Sequence, residues 1–215
     1  MSTTIRTEQG DLRGAYAQAE EFLRKRPDVS LAHCGISYVL RYAGLLDEAG
    51  KECDRALALD PGFNLFRSCA NPFILDSDYA HAQTYIRLDE NSGVGALLRM
   101  IIALRTDNRA AALAETDAVS HTGYRLADVA RIYLKHGTQA DLRKAAAEVE
   151  TDPHYLRDGE ELYRNAEVLS YCQQTDAALR QLRKAIERSY CSYPAMDNDP
   201  SFDPIRQRPE FAELR

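Results

Sequence analysis

The sequence predicts an all-α fold, an α-α solenoid of about five helix pairs with a C-terminal cap, and three observations carry that expectation. Landmark residues recur at a constant interval: Gly10, Ala15, Ala19, Phe22-Leu23 and Pro27 are followed 34 residues later by Gly44, Ala49, Cys53, Ala56-Leu57 and Pro61. Between such landmarks the apolar residues return at helical spacing, as in Leu126, Val129, Ala130 and Tyr133. Glycines fall where a tight turn between helices needs positive φ, and prolines fall where a second helix must stop.

Each element follows from that frame. Residues 1–9 are too few for the first helix of the Gly10 unit and read as a disordered or truncated segment, so the array proper, residues 10–191, opens on a half repeat. Its helix, Leu12 to Arg26, is expected to pack directly on Leu31 to Ala43. Gly44 turns the chain into Leu46 and its successors, ending at Pro61. Leu65 to Leu75 reads as a first helix with a kink or early stop at Pro72, where a backbone hydrogen bond is lost. Asp78-Tyr79 opens the next helix, with Ala82 in the small-residue place. Val94 to Leu104 is strongly apolar and expected to be buried on both sides, and Arg109 to Val119 pairs with it through Ala110-Ala111-Ala112. Leu126 to His136 pairs with Asp141 to Glu150 and closes at Asp152-Pro153; Gly159 to Cys172 pairs with Thr175 to Arg188. Residues 192–215 are different in kind. Four prolines from Pro194 to Pro209 forbid one long helix, while Phe202, Ile205, Phe211 and Leu214 supply anchors for folding back over the last pair.

These landmarks resemble the tetratricopeptide repeat (TPR), whose period is 34 residues. His33, Ile36, Ser37 and Leu40 stand in the places of that motif's Trp, Leu, Gly and Tyr, while Ala49 and Pro61 match it outright. The resemblance implies a right-handed superhelix with the first helix of each pair lining a concave groove. The string Asp199-Pro-Ser-Phe-Asp-Pro-Ile-Arg206 with Arg208-Pro-Glu-Phe211 also resembles the closing segment of TPR regions at the C-termini of multidomain bacterial kinases, cyclase-like proteins and winged-helix regulators. A bacterial, cytoplasmic setting with further domains upstream is what that resemblance implies.

Composition narrows the function. A formal charge of −6 disfavours a nucleic-acid partner, since phosphate neutralisation needs a basic surface. No apolar run approaches the roughly 20 residues a bilayer needs, and the N-terminus lacks a signal-peptide core, so no membrane and a cytoplasmic location are expected. Five cysteines without CxxC spacing suggest reduced thiols. His33 and Cys34 adjoin in sequence, but helix neighbours diverge by roughly 100° and cannot act as base and nucleophile. The five histidines lack metal-ligand spacing, and Gly93-Val-Gly95 lacks the rest of a phosphate loop. No cofactor, no metal and no enzymatic activity are expected.

What remains is a scaffold that binds a protein or peptide in its groove. The candidate contacts are Tyr38, Arg41, Tyr42, Arg67, Asn71, Arg131, Lys135, Tyr163, Glu167 and Tyr171, a mixture of rings and charged groups of the kind that dominates binding hot spots. Arg67 and Asn71 resemble the start of the carboxylate clamp of chaperone-binding TPR domains. Leu97 and Asp128 stand where that clamp needs asparagine and a basic residue, which excludes it. Two other readings stay open: a ligand-sensing or regulatory region attached to a kinase, cyclase or transcription regulator, and self-association, as a homodimer, through the N-terminal half repeat around Leu12, Tyr16 and Leu23.

Overall fold

The computed structural model describes residues 2–152 and 158–214. Among these every regular element is helical: α1 (Thr3–Glu8), α2 (Leu12–Lys25), α3 (Ser30–Tyr42), α4 (Leu46–Leu59), α5 (Ala70–Leu75), α6 (Tyr79–Ile86), α7 (Gly93–Arg105), α8 (Arg109–Ser120), α9 (Leu126–Leu134), α10 (Gln139–Thr151), α11 (Gly159–Tyr171), α12 (Thr175–Glu187), α13 (Tyr193–Asn198) and α14 (Pro209–Ala212). Three 3-10 helices, Asn64–Cys69, Arg87–Asp89 and Pro200–Phe202, complete the set. No described helix is long and apolar enough to cross a membrane. Pro153 of the expected Asp152-Pro153 stop lies outside the described residues.

Among the described residues one turn is used six times. The residues Gly10, Gly44, Ser77, Asp107, His136 and Gln173 all have positive φ, between 50° and 86°. Each donates its N–H to a carbonyl three residues back, and its successor donates to a carbonyl five residues before it, as in Gly44 to Arg41 and Leu45 to Leu40. This paired closure satisfies the orphan carbonyls at the end of the first helix and reverses the chain. The second helix then starts at once, often capped by Asp11, Asp78, Asn108 or Thr138 accepting from a backbone N–H of its first turn. Four residues past each cap position sits Ala15, Ala49, Ala82, Ala112, Leu142 or Ala178, all essentially without solvent contact. A methyl side chain at five of those six places lets the paired helices approach closely.

The chain divides into two compact units, one of residues 1–90 with 188–198, the other of 91–187 with 199–215. The array expected over 10–191 is therefore not the unit of packing, and the tail does not act as one cap. In the first unit residues 188–198 run beside the glycine turns. Cys191 N–H donates to the Tyr42 carbonyl at 2.8 Å, and Tyr190 meets Tyr42 edge-on at 4.9 Å. A Cβ on Gly44 would come within 2.8 Å of the Cys191 carbonyl oxygen, and one on Gly10 within 2.6 Å of Ser189 Oγ. These two turns need glycine for contact as well as for φ.

Three further expectations for the first unit are corrected. Residues 3–8 are not disordered: Ser2 Oγ accepts from Ile5 N–H, Thr7 is fully buried, and α1 packs on α2 and α3, so the Gly10 unit has a short first helix. Pro72 does not kink a helix. The chain runs as a 3-10 helix to Cys69, and Pro72 is the third residue of α5, where an N–H has no helical acceptor anyway. Cys53 and Cys69 are not free thiols but a disulfide joining α4 to that 3-10 helix, with Cα atoms 5.7 Å apart; Cys34, Cys172 and Cys191 are free. His33 ties the same region together, its two ring nitrogens 2.6 Å from Glu52 and 3.0 Å from the Pro27 carbonyl.

In the second unit α7 is buried along almost its whole length, as its composition implied. The segment 199–214 lies on α7 and α11, burying Phe202, Ile205, Phe211 and Leu214. Phe202 meets Tyr163 edge-on at 5.3 Å.

Candidate functional site

Half of the expected contact residues are inside the protein. Arg41, Tyr42, Asn71, Tyr163 and Glu167 are each less than a tenth exposed, which removes them from an open surface. Arg41 donates to the Ser68 carbonyl at 3.0 Å and lies over the Tyr38 ring, while Asn71 donates to the same carbonyl at 2.8 Å. Tyr38 is half-buried and donates to Glu8. Arg67 is held by Asp89 at 3.1 Å. Arg131 binds back to α8, through the Thr116 carbonyl at 3.0 Å and Ser120 Oγ at 2.7 Å, and pairs with Asp117 and Asp128. For Tyr42 and Tyr163 the physical reason lies in the return segments, since Tyr190 covers Tyr42, and Asp199 and Phe202 cover Tyr163. Of the ten only Lys135 is exposed, and Tyr171, like Tyr38, Arg67 and Arg131, is half-buried.

Tyr171 belongs to a cluster that gathers residues from three turns of the second unit. It meets Tyr133, near the end of α9, edge-on at 5.8 Å, and donates to Asp107 Oδ1 at 2.5 Å. The Arg109 guanidinium at the start of α8 stands 5.2 Å over the Tyr133 ring. Gln173 Nε2 donates to the Tyr133 hydroxyl at 3.2 Å. Asp107 and Gln173 are two of the positive-φ residues, so the turn that reverses the chain also aims these side chains outward. Burial, then the hydrogen bond to Asp107, pushes the Tyr171 phenol up to about 12, against the opposing charge of Arg109. The phenol stays neutral and its one O–H remains committed to Asp107. Sequence reasoning took Tyr133 for a packing residue and passed over Arg109, Asp107 and Gln173. Their common signal was position, each at or within three residues of a turn.

A cleft of about 520 Å³ opens between α9 and α10, lined by Asp128, Arg131, Ile132, Lys135, Lys144 and Glu148. Its charges are of both signs. In the first unit Asp54 accepts from His81 Nε2 at 2.9 Å and from the Tyr85 hydroxyl at 2.6 Å, and His81 stacks on Phe73 at 3.9 Å. This cluster ties α4 to α6. Among the described residues no three His, Cys, Asp or Glu side chains converge to hold a metal ion.

No protein-family model matches the chain, and no curated protein matches it.

Proposed function

We propose that this chain is a non-catalytic protein-interaction module of the TPR type, and that the Tyr133, Tyr171, Arg109 and Gln173 cluster of the second unit is its contact surface for a peptide or protein. The observation that supports the reading is a partly exposed pair of tyrosine rings already fixed against each other and under a guanidinium. Tyrosine and arginine dominate binding hot spots, and rings held in place before binding lose little entropy when a partner lands. The TPR resemblance, the cytoplasmic setting and membership of a larger bacterial regulatory protein belong to the same proposal.

The test is affinity capture with the full chain and with its Tyr133→Ala, Tyr171→Ala and Arg109→Ala variants. A partner of this surface should lose more than about 1 kcal/mol of affinity to at least one variant. Equal recovery of every partner by all three discards the surface.

A second reading, self-association through the first unit, has its own support. Ile5, Tyr16 and Phe22, on α1 and α2, are each between 39% and 47% exposed. Sedimentation analysis decides it: a dimer that dissociates on Tyr16→Glu supports the reading, and a monomer at all concentrations ends it.

A further inference from the structure

We infer that residues 199–214 form a proton-dependent clasp, seated on α7 and α11 through Asp199 while the Glu167 carboxyl carries a proton, and loosened when that proton is lost.

The seat is built from three charged groups on three elements. Arg105 of α7 donates through Nε to Glu167 of α11 at 3.0 Å and through Nη2 to Asp199 at 2.5 Å. The side chains of Arg105 and Asp199 have no solvent exposure, and that of Glu167 has 4%. One guanidinium faces two carboxyl groups. With both ionised the site would hold an uncompensated negative charge where water cannot screen it, which is costly. Glu167 and Asp199 share that one guanidinium, so a proton on one carboxyl group removes the repulsion between the two.

Burial, reinforced by the neighbouring Asp199 carboxylate, holds the Glu167 carboxyl well above the usual carboxylate range; Arg105 and Arg164 oppose this without reversing it. The groups that face it are Arg105 from α7, Asp199 from the return segment, and Tyr163 and Arg164 from its own helix. Tyr163 donates to Asp199 Oδ2 at 3.3 Å. The buried residues of α9 and α12 carry no ionisable side chain.

Asp199 is also the pivot of the segment. Its Oδ1 accepts from Ser201 N–H at 2.8 Å, and its carbonyl accepts from Arg206 at 2.7 Å. Beyond it Phe202, Ile205, Phe211 and Leu214 are buried, so a change at Asp199 reaches all four anchors. The direction follows from linkage. Between the ordinary glutamate range and the raised value the folded protein binds more protons than the unfolded chain, so the clasp weakens as pH rises through that window.

The experiment is hydrogen–deuterium exchange of the full chain from about pH 6 to about pH 9, corrected for intrinsic rates, with α9 amides as internal reference. Protection of residues 199–214 relative to α9 should fall about tenfold or more across that range. Glu167→Gln keeps one guanidinium facing one carboxylate and should flatten the profile, and Asp199→Asn should do the same. A wild-type ratio that does not change with pH overturns the proposal, as does the wild-type slope persisting in a folded variant. The wild-type profile decides alone if neither variant folds. The outcome is independent of whether the tyrosine cluster binds anything.

Discussion

The two units share a turn and differ in what holds them. The first is fastened by the Cys53–Cys69 disulfide and by histidine–carboxylate pairs, His33 with Glu52 and His81 with Asp54, while Ile5, Tyr16, Phe22, Leu31, Leu45, Leu59, Leu65 and Tyr193 remain substantially exposed. The second has no large hydrophobic residue exposed among those described, and it buries a guanidinium with two carboxyl groups instead. A common helix hairpin is thus compatible with opposite treatments of its outer faces. The first leaves apolar surface to solvent and adds a covalent link. The second covers such surface with its own chain and fixes the cover with charge.

The largest effect should come from removing the charge that fixes the cover. Arg105→Met leaves Glu167 and Asp199 without their cation and should cost the second unit about 3–5 kcal/mol by denaturant titration, with exchange protection in the first unit little changed. Reduction, or Cys53→Ala with Cys69→Ala, should lower protection in the first unit by about 3 kcal/mol, as a 16-residue separation implies, and spare the second. If both losses spread equally over both units, the contrast between them fails. Gly44→Ala should cost about 2 kcal/mol or more, because its φ of 78° disfavours a side chain and the Cys191 carbonyl blocks the Cβ. His136→Gly should gain about 0.5 kcal/mol in thermal unfolding by relieving the same φ at a turn that accommodates a side chain.

That last pair explains how far the fold could be read beforehand. Gly10 and Gly44 announced the repeat because the returning residues 188–198 pass against them and admit nothing larger. At Ser77, Asp107, His136 and Gln173 the same backbone is kept with a side chain in place, at successive intervals of 33, 30, 29 and 37 residues, so the signal faded although the geometry did not. Helix positions were legible because Ala15, Ala49, Ala82 and Ala178 report close helix approach directly. The candidate site was not. Whether Tyr42 or Tyr163 faces solvent depends on Tyr190 and Asp199, more than thirty residues away along the chain, and helical periodicity carries no information at that range. The disulfide was hidden for a similar reason, since it joins the middle of a helix to the end of a 3-10 segment with no motif between them.

The return of residues 188–198 to the first unit and of 199–214 to the second also bears on how the protein is made. On a ribosome the first ninety residues emerge before the segment 188–198 that shields Gly10 and Gly44, and that flank stays bare until residues 91–187 have been synthesised as well. Closure of each unit therefore waits for a segment that follows its repeat helices in sequence, a schedule that favours late-committing assembly over folding one repeat at a time.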